Sequence, residues 1–315
     1  MNMEKNSKIY IAGHKGLVGS SILRKLRELG YTNLIYRTRE ELNLLNQQKV
    51  LEFFEKEKPE FVFLAAAKVG GIIANSTYPA DFIYQNTQIS FNILHASHRF
   101  GVKKLLNLGS SCIYPRDSLQ PMKEEYLLTG ELEKTNEAYA LAKISAIKYC
   151  QSLNSQYGTD FISAMPTNLY GPFDNFNLEN SHVLPAMIRK FYEAKMDNNP
   201  FVELWGTGLV KREFLYVEDL SDALIYLMDA EKVPNLINIG SGEDISIVEL
   251  AELIKEIVGY EGEINWDKTK PDGTPRKLLD VSLIQSLGWK HRTKLAEGIK
   301  KTYHWYLENQ DILKK

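Results

Sequence analysis

The most restrictive stretch of the chain is Gly13-His14-Lys15-Gly16-Leu17-Val18-Gly19, three glycines at intervals of three. Before it, KIYIA (8–12) reads as a buried strand. After it, Val18, Ile22, Leu26 and Leu29 recur at helical spacing until Gly30 ends the pattern. A strand entering a helix through such a turn is the opening half of a βαβ unit. Glycine lets the backbone approach a pyrophosphate, which rests on free amides at the positive end of the helix dipole. GxxGxxG alone is a loose pattern, because glycine turns join strands to helices in many proteins. At the first strand–helix junction it predicts a dinucleotide held by residues 13–19.

The same rhythm continues. NLIY (33–36), FVFLAAA (61–67), KLLNLG (104–109) and FISAMP (161–166) read as strands. Between them lie helical patterns over VLEFFEKEKP, about 79–100, and NEAYALAKISAIKYCQSLNSQYG. This alternation predicts a doubly wound, Rossmann-type parallel sheet with helices on both faces. After Gly171-Pro172 the alternation breaks into a polar loop, FDNFNLENS, a helix near 182–196 and the short pieces FVELWGTG and KPDGTPRK. REFLYVEDLSDALIYLMDA and NLINIGSG read as a return to the sheet. SIVELAELIKEIVG and a helix near 293–308 complete a smaller mixed lobe. The expected division is 1–171 with about 213–242 for the dinucleotide, and 172–212 with 243–315 for the substrate.

The second strand discriminates between dinucleotides. An NAD site puts a carboxylate at that strand's end to hold the adenosine ribose. Here Tyr36 is followed by Arg37-Thr38-Arg39, with no acid until Glu40. A 2′-phosphate would meet Arg39 and Lys15, which predicts NADP; the plainer reading of the arginines is a solvated surface pair.

Tyr139 and Lys143 lie four apart on the fourth helix, hence on one face. An ammonium near a phenol lowers the phenol's pKa from about 10 toward working pH, as a proton donor to a carbonyl requires. YxxxK is loose by itself. Its helix follows the strand ending at Ser110, so the serine hydroxyl and the phenol can converge on one oxygen.

This Ser…Tyr-x-x-x-Lys set behind GxxGxxG resembles the extended short-chain dehydrogenase/reductase family. GHKGLVGS, AAAKVGGI, YPADFIYQN, LGSSCIYP, AYALAKI, MPTNLYGP, NSHVLPA, KREFL and KPDGTPRKLLDV resemble more narrowly its NADPH-dependent 3,5-epimerase/4-reductases of GDP-4-dehydro-6-deoxy-D-mannose, over roughly residues 8–310. The resemblance implies catalytic roles for Ser110, Cys112, Tyr139, Lys143 and His182. It implies cofactor contacts at Arg39, Asn43 and Leu44, at Leu108, Gly109 and Ser111, at Pro166, Thr167, Asn168 and Leu169, and at Lys143 and His182. It also implies contacts to a GDP-sugar from Lys190, Trp205, Arg212 and Asp272, and a homodimer packed through 79–100 and 137–157.

Chemistry gives the thiol a purpose. C3 and C5 both flank the C4 ketone, so each can lose its proton to an enolate, and inversion needs proton carriers on two faces. Cys112 is the candidate base and His182 its partner. Related sugar-nucleotide dehydratases carry an Asp-Glu pair after the corresponding hydroxyl, where Ser111-Cys112 stands here. The plain alternatives are a small buried hydrophobe for Cys112, as for Cys150, and an ordinary core or lid residue for Trp205. A redox-neutral 4-epimerase retaining NAD and a silent NADP-binding regulator are the competing functions.

Lys plus Arg number 38 against 40 Asp plus Glu, so no basic field recruits nucleic acid. No apolar run could span a bilayer, and two cysteines make neither a disulfide framework nor a metal site. A soluble, cytoplasmic protein without a metal is expected.

Overall fold

The computed structural model describes residues 3–178, 181–270 and 272–310; Asn180 and Pro271, members of NSHVLPA and KPDGTPRK, lie outside them. In chain order the strands are β1 (Ile9–Ala12), β2 (Leu34–Ile35), β3 (Phe61–Leu64), β4 (Lys104–Leu108), β5 (Phe161–Pro166), β6 (Asn168–Tyr170), β7 (Phe201–Trp205), β8 (Lys211–Tyr216), β9 (Leu236–Ile239), β10 (Asp244–Ser246), β11 (Glu263–Asp267) and β12 (Arg276–Lys277). The helices are α1 (Leu17–Glu28), α2 (Gln47–Glu57), α3 (Ile72–Thr77), α4 (Pro79–Arg99), α5 (Glu137–Tyr157), α6 (Val183–Met196), α7 (Val217–Asp229), α8 (Ile247–Val258), α9 (Ser282–Ser286) and α10 (Leu295–Glu308).

Six strands make the central sheet, all parallel, in the order β2-β1-β3-β4-β5-β9. Its continuous apolar runs follow from burial on both faces. Within β1, Ile9 and Ile11 pack with α1 and α7, whereas Tyr10 and Ala12 pack with α2, α4 and α5. A third core, built around Phe191, Leu250 and Tyr306, holds α6, α8 and α10 against β7 and β8.

Helix ends are punctuated in two ways. The Asn46 side chain accepts from Lys49 N at the start of α2, and Ser246 with Glu249 forms a capping box on α8. The start of α1 has neither: Gly16 stands at its cap position, and no side chain accepts from the first amides. Those donors are left for something else.

Several elements depart from the sequence reading. REFLY becomes β8, which pairs with β6, β10 and β12 in a second sheet rather than joining the central one. Of that segment only β9 joins the central sheet, while α7 and Leu215 of β8 pack into the core beneath it. Conversely, Leu279, Val281, Ile284 and Trp289, placed by sequence in the smaller lobe, pack into the α1–α7 core. Glu213 of β8 is fully buried and accepts from Gly242 N at 2.7 Å and Leu279 N at 2.9 Å, so one carboxylate ties the two regions together.

Candidate active site

Strand order reverses direction at β1, whose neighbours are β2 and β3, and the carboxyl ends of β1 and β3 open a crevice there. A cavity of about 790 Å³ fills this crevice, walled by the glycine turn, residues 65–70 after β3, 108–111 after β4, 166–169 around β5 and β6, and parts of the loop before α6. Gly13 has φ +88°, and a Cβ there would stand 2.8 Å from the Ala66 backbone. At Gly19 a Cβ would stand 2.1 Å from Gly13 O. Neither position accepts a side chain, so the turn keeps its backbone against the cavity. Gly13, Gly16, Leu17, Val18 and Gly19 line it; His14 and Lys15 do not. His14 instead packs its ring on Tyr36, centroids 4.7 Å apart.

Beyond β2, Arg39, Asn43 and Leu44 line the cavity, with Arg37 beside them. Arg37 is bound to Glu57 at 2.9 Å, whereas Arg39 is exposed and makes no ion pair among the described residues. Uncapped helix amides, a side-chain-free turn and an uncommitted guanidinium together fit a dinucleotide with an additional phosphate.

Leu108, Gly109, Ser110 and Ser111 form the wall after β4, and Tyr139 and Lys143 of α5 stand beside them. Lys143 is buried and donates to Leu108 O at 2.7 Å. Its Nζ is 5.7 Å from the Tyr139 ring centre. The expected acidification of Tyr139 is not what the free protein has: burial pushes the phenol up, and the thiolate charge of Cys112 pushes the same way. Burial also drops Lys143 to about 8. Tyr139 is therefore held as a neutral hydrogen-bond donor.

Cys112 sits on the short 3-10 turn Ser111–Ile113, 7% exposed, with its backbone N donating to Ser110 Oγ at 3.4 Å. It is not among the residues that line this cavity. A base that works near neutrality needs a thiol close to its ordinary range. Burial instead raises it, and the pull back from Lys277, from the Ser110 hydroxyl and from Lys143 is smaller. Lys277 was not singled out in the sequence. It arrives through the pairing of β12 with β8, opposite Arg212, and nothing local in KPDGTPRK announces that contact.

Pro166, Thr167, Asn168 and Leu169 line the next wall, and His182 closes the cavity from the loop before α6. His182 occupies the cap position of α6, yet its side chain caps nothing. Part of it reaches solvent, while the protein packed around the ring lowers its imidazole pKa. Asp174 and Ser181 share this wall and were also missed, because a polar loop reads as solvated.

The four residues assigned to the sugar nucleotide gather outside that cavity, around the turn after β7. Lys190 donates to Glu203 O at 2.8 Å and stands 6.0 Å from the Trp205 ring centre, with Lys270 at 5.5 Å from the same ring. Trp205 is 50% exposed. The Arg212 guanidinium donates to Asp272 O at 3.4 Å. Both carboxylate oxygens of Asp272 are engaged by Thr207, at 2.7 Å from its amide and 2.8 Å from its hydroxyl. Asp272 thus fixes the Trp-Gly-Thr turn. Among the described residues no His, Cys, Asp and Glu cluster could hold a metal.

Known proteins are similar to this chain along most of its length. Residues 9–240 match the model of the "NAD dependent epimerase/dehydratase family". GDP-L-fucose synthase 1 of Arabidopsis thaliana is 58% identical over 306 residues, covering 97% of this chain and 95% of that protein. GDP-L-fucose synthase of Escherichia coli strain K12 is 54% identical, covering 96% and 98%. The solved GDP-mannoheptose C4 reductase from Campylobacter jejuni with NADP bound is 42% identical, with a TM-score of 0.89, covering 97% of this chain and 100% of that one. With identity at this level running the length of both partners, the chain belongs to the NAD dependent epimerase/dehydratase family, on the branch that holds the GDP-L-fucose synthases.

Proposed function

We propose that this chain is an NADPH-dependent enzyme that inverts C3 and C5 and reduces C4 of GDP-4-dehydro-6-deoxy-D-mannose, releasing GDP-L-fucose. The observation that carries the reading is the surroundings of Ser110. Two hydroxyls, Ser110 and Tyr139, line the cavity, and the Cys112 thiol is hydrogen-bonded to the serine hydroxyl, where the dehydratases have two acids.

Bound in the crevice, NADPH supplies the hydride that C4 receives. Ser110 and Tyr139 hold the C4 oxygen, on which negative charge collects when C3 or C5 loses its proton. Cys112 and His182 are the two proton carriers, one for each face of the ring. At the reduction Tyr139 gives its proton to the C4 oxygen, and the Lys143 ammonium steadies the phenolate left behind. Lys190 and Arg212 suit the diphosphate, and Trp205 offers a flat surface to a ring. Purified protein given the keto-sugar nucleotide and NADPH should yield, by proton NMR, a hexose inverted at two carbons with one NADPH consumed per molecule. Retained NAD with no net NADPH consumption would overturn the reading.

Arg39 supports the choice of NADPH. Arg39→Ala should weaken NADPH by about tenfold and NADH by less than about twofold, since only the former offers a phosphate to the guanidinium. Parallel fluorescence titrations measure both. Equal losses would move the 2′-phosphate elsewhere.

The proposal extends to a homodimer through α4 and α5. The supporting feature is apolar exposure on both helices, at Ile83, Tyr84, Phe91, Leu141 and Tyr157. A cytoplasmic setting fits two free cysteines. No helix among the described residues is long and apolar enough to cross a membrane. The division into a dinucleotide part (1–171 with about 213–242) and a substrate lobe (172–212 with 243–315) is retained, with β8 and 279–289 shared as described above.

A further inference from the structure

Asp174 has no part in the chemistry above, yet its carboxyl is built into the cavity wall. The residue is 7% exposed. One oxygen, Oδ1, accepts from Asn175 N at 2.8 Å. The other, Oδ2, is buried and finds no hydrogen-bond partner, and the Ser181 hydroxyl on the same loop is buried and unpartnered as well. Both residues line the cavity that His182 closes. Buried polar atoms without a protein partner are met by water or by a ligand, and two of them side by side in a cavity wall can be met by one bound group.

The backbone holds this arrangement at a cost. Phe173, directly before Asp174, has φ +67°, a conformation that non-glycine residues seldom adopt. Its ring contacts the Arg24 guanidinium, 4.9 Å from the ring centre, and the Trp305 ring at 5.0 Å. Both contacts tie down the residue that leads into Asp174.

The remaining walls narrow the ligand's chemistry. Uncapped amides and Arg39 serve phosphates, and Ser110 with Tyr139 serves a ketone oxygen. A carboxylate would repel a phosphate. Among the groups a nucleotide still presents, ring hydroxyls suit this pair, because they donate to a carboxylate and accept from a neutral carboxyl or a serine hydroxyl. Burial pushes Asp174 up to about 7, against the smaller pull of the Asn175 amide, so both forms are on hand near neutrality.

We propose that Asp174 and Ser181 form a hydroxyl-binding subsite for a sugar ring of a bound nucleotide, either a ribose of the dinucleotide or the hexose of the sugar nucleotide. The proposal deepens the functional reading above and rests on it only for the second source.

The full-length chain tests it by binding alone. NADPH affinity is read by fluorescence titration, and GDP-mannose affinity by calorimetry with NADP⁺ present. Asp174→Leu should lose about tenfold on one arm and leave the other unchanged, as expected for one buried hydrogen bond left unmet. Asp174→Asn, which keeps polar atoms at both positions, should stay within about threefold of the parent, and Ser181→Ala should weaken the same arm as Asp174→Leu. The melting temperature of the ligand-free Asp174→Leu protein should stay within about 3 °C of the parent. Loss on the NADPH arm assigns the ribose; loss on the GDP-mannose arm assigns the hexose. Unchanged affinities on both arms would overturn the subsite. So would equal losses in the Asn and Leu variants with a lowered melting temperature, because that pattern marks a structural residue. Should Asp174→Leu fail to fold, Ser181→Ala decides, and no effect there refutes the proposal. A parent protein that binds both nucleotides but leaves the keto-sugar unchanged refutes the functional reading alone.

Discussion

Replacing Tyr139 by Phe should lower kcat for NADPH-dependent reduction by about 10²- to 10⁴-fold, the range lost when a positioned proton donor is removed. The substitution takes away one oxygen and nothing else. Tyr139 stands in the cavity wall, and its ring meets Phe82 edge to face at 6.3 Å, a contact that the variant keeps. NADPH affinity should therefore stay within about threefold, which separates lost chemistry from lost architecture. Stopped-flow oxidation of NADPH with the keto-sugar reads the first quantity, and equilibrium titration the second. A variant keeping more than about a third of parental kcat would move the proton donor to another group.

Replacing Cys112 by Ala should lower deuterium wash-in at C3 and C5 from heavy water by about 10²- to 10⁴-fold while reduction at C4 persists. The product would be a reduced but uninverted hexose. Undiminished exchange would remove the thiol from the mechanism. The pH dependence of the parental exchange adds a sign. Burial raises the Cys112 thiol and surrounding protein lowers the His182 imidazole, so the resting pair is thiol and neutral imidazole. The reactive pair, thiolate and imidazolium, carries the same number of protons. Its population is therefore independent of pH between the two ionisations. Exchange should be flat through neutrality, fall on the acid side only below the ordinary histidine range, and fall on the alkaline side only above the ordinary thiol range. A rate climbing tenfold per pH unit through neutrality would mean that thiolate alone suffices.

What could be read from the chain is what local spacing encodes. Gly13, Gly16 and Gly19 announce a turn because each lies within one turn of helix from the next, and the Tyr139–Lys143 pair shares a helix face. The central sheet is legible because the β1–β5 segments are short, mostly apolar runs set between helical patterns. The partners of β8 could not be read: the same apolar residues would suit either sheet, and pairing between Arg212 and Lys277 is decided 65 positions apart. That pairing is also what brings a second ammonium toward Cys112. Spacing carries no information on burial, which is why the phenol of Tyr139 is read from sequence in the wrong direction and the rise of the Cys112 thiol is not read at all. Asp174 was illegible for a related reason: its loop is polar in composition, and only the packed wall makes its carboxyl dry.

The bare start of α1 has a further consequence. Donors left without acceptors are a weakness for as long as the crevice holds only water, and an anion seated there removes it. Anything that binds the folded chain alone adds RT ln(1 + [L]/Kd) to its resistance to unfolding, about 2.7 kcal/mol at a hundredfold excess over Kd. Survival under heat or proteolysis will accordingly track how much reduced dinucleotide surrounds the enzyme, so that idle, unloaded copies are the first to be cleared.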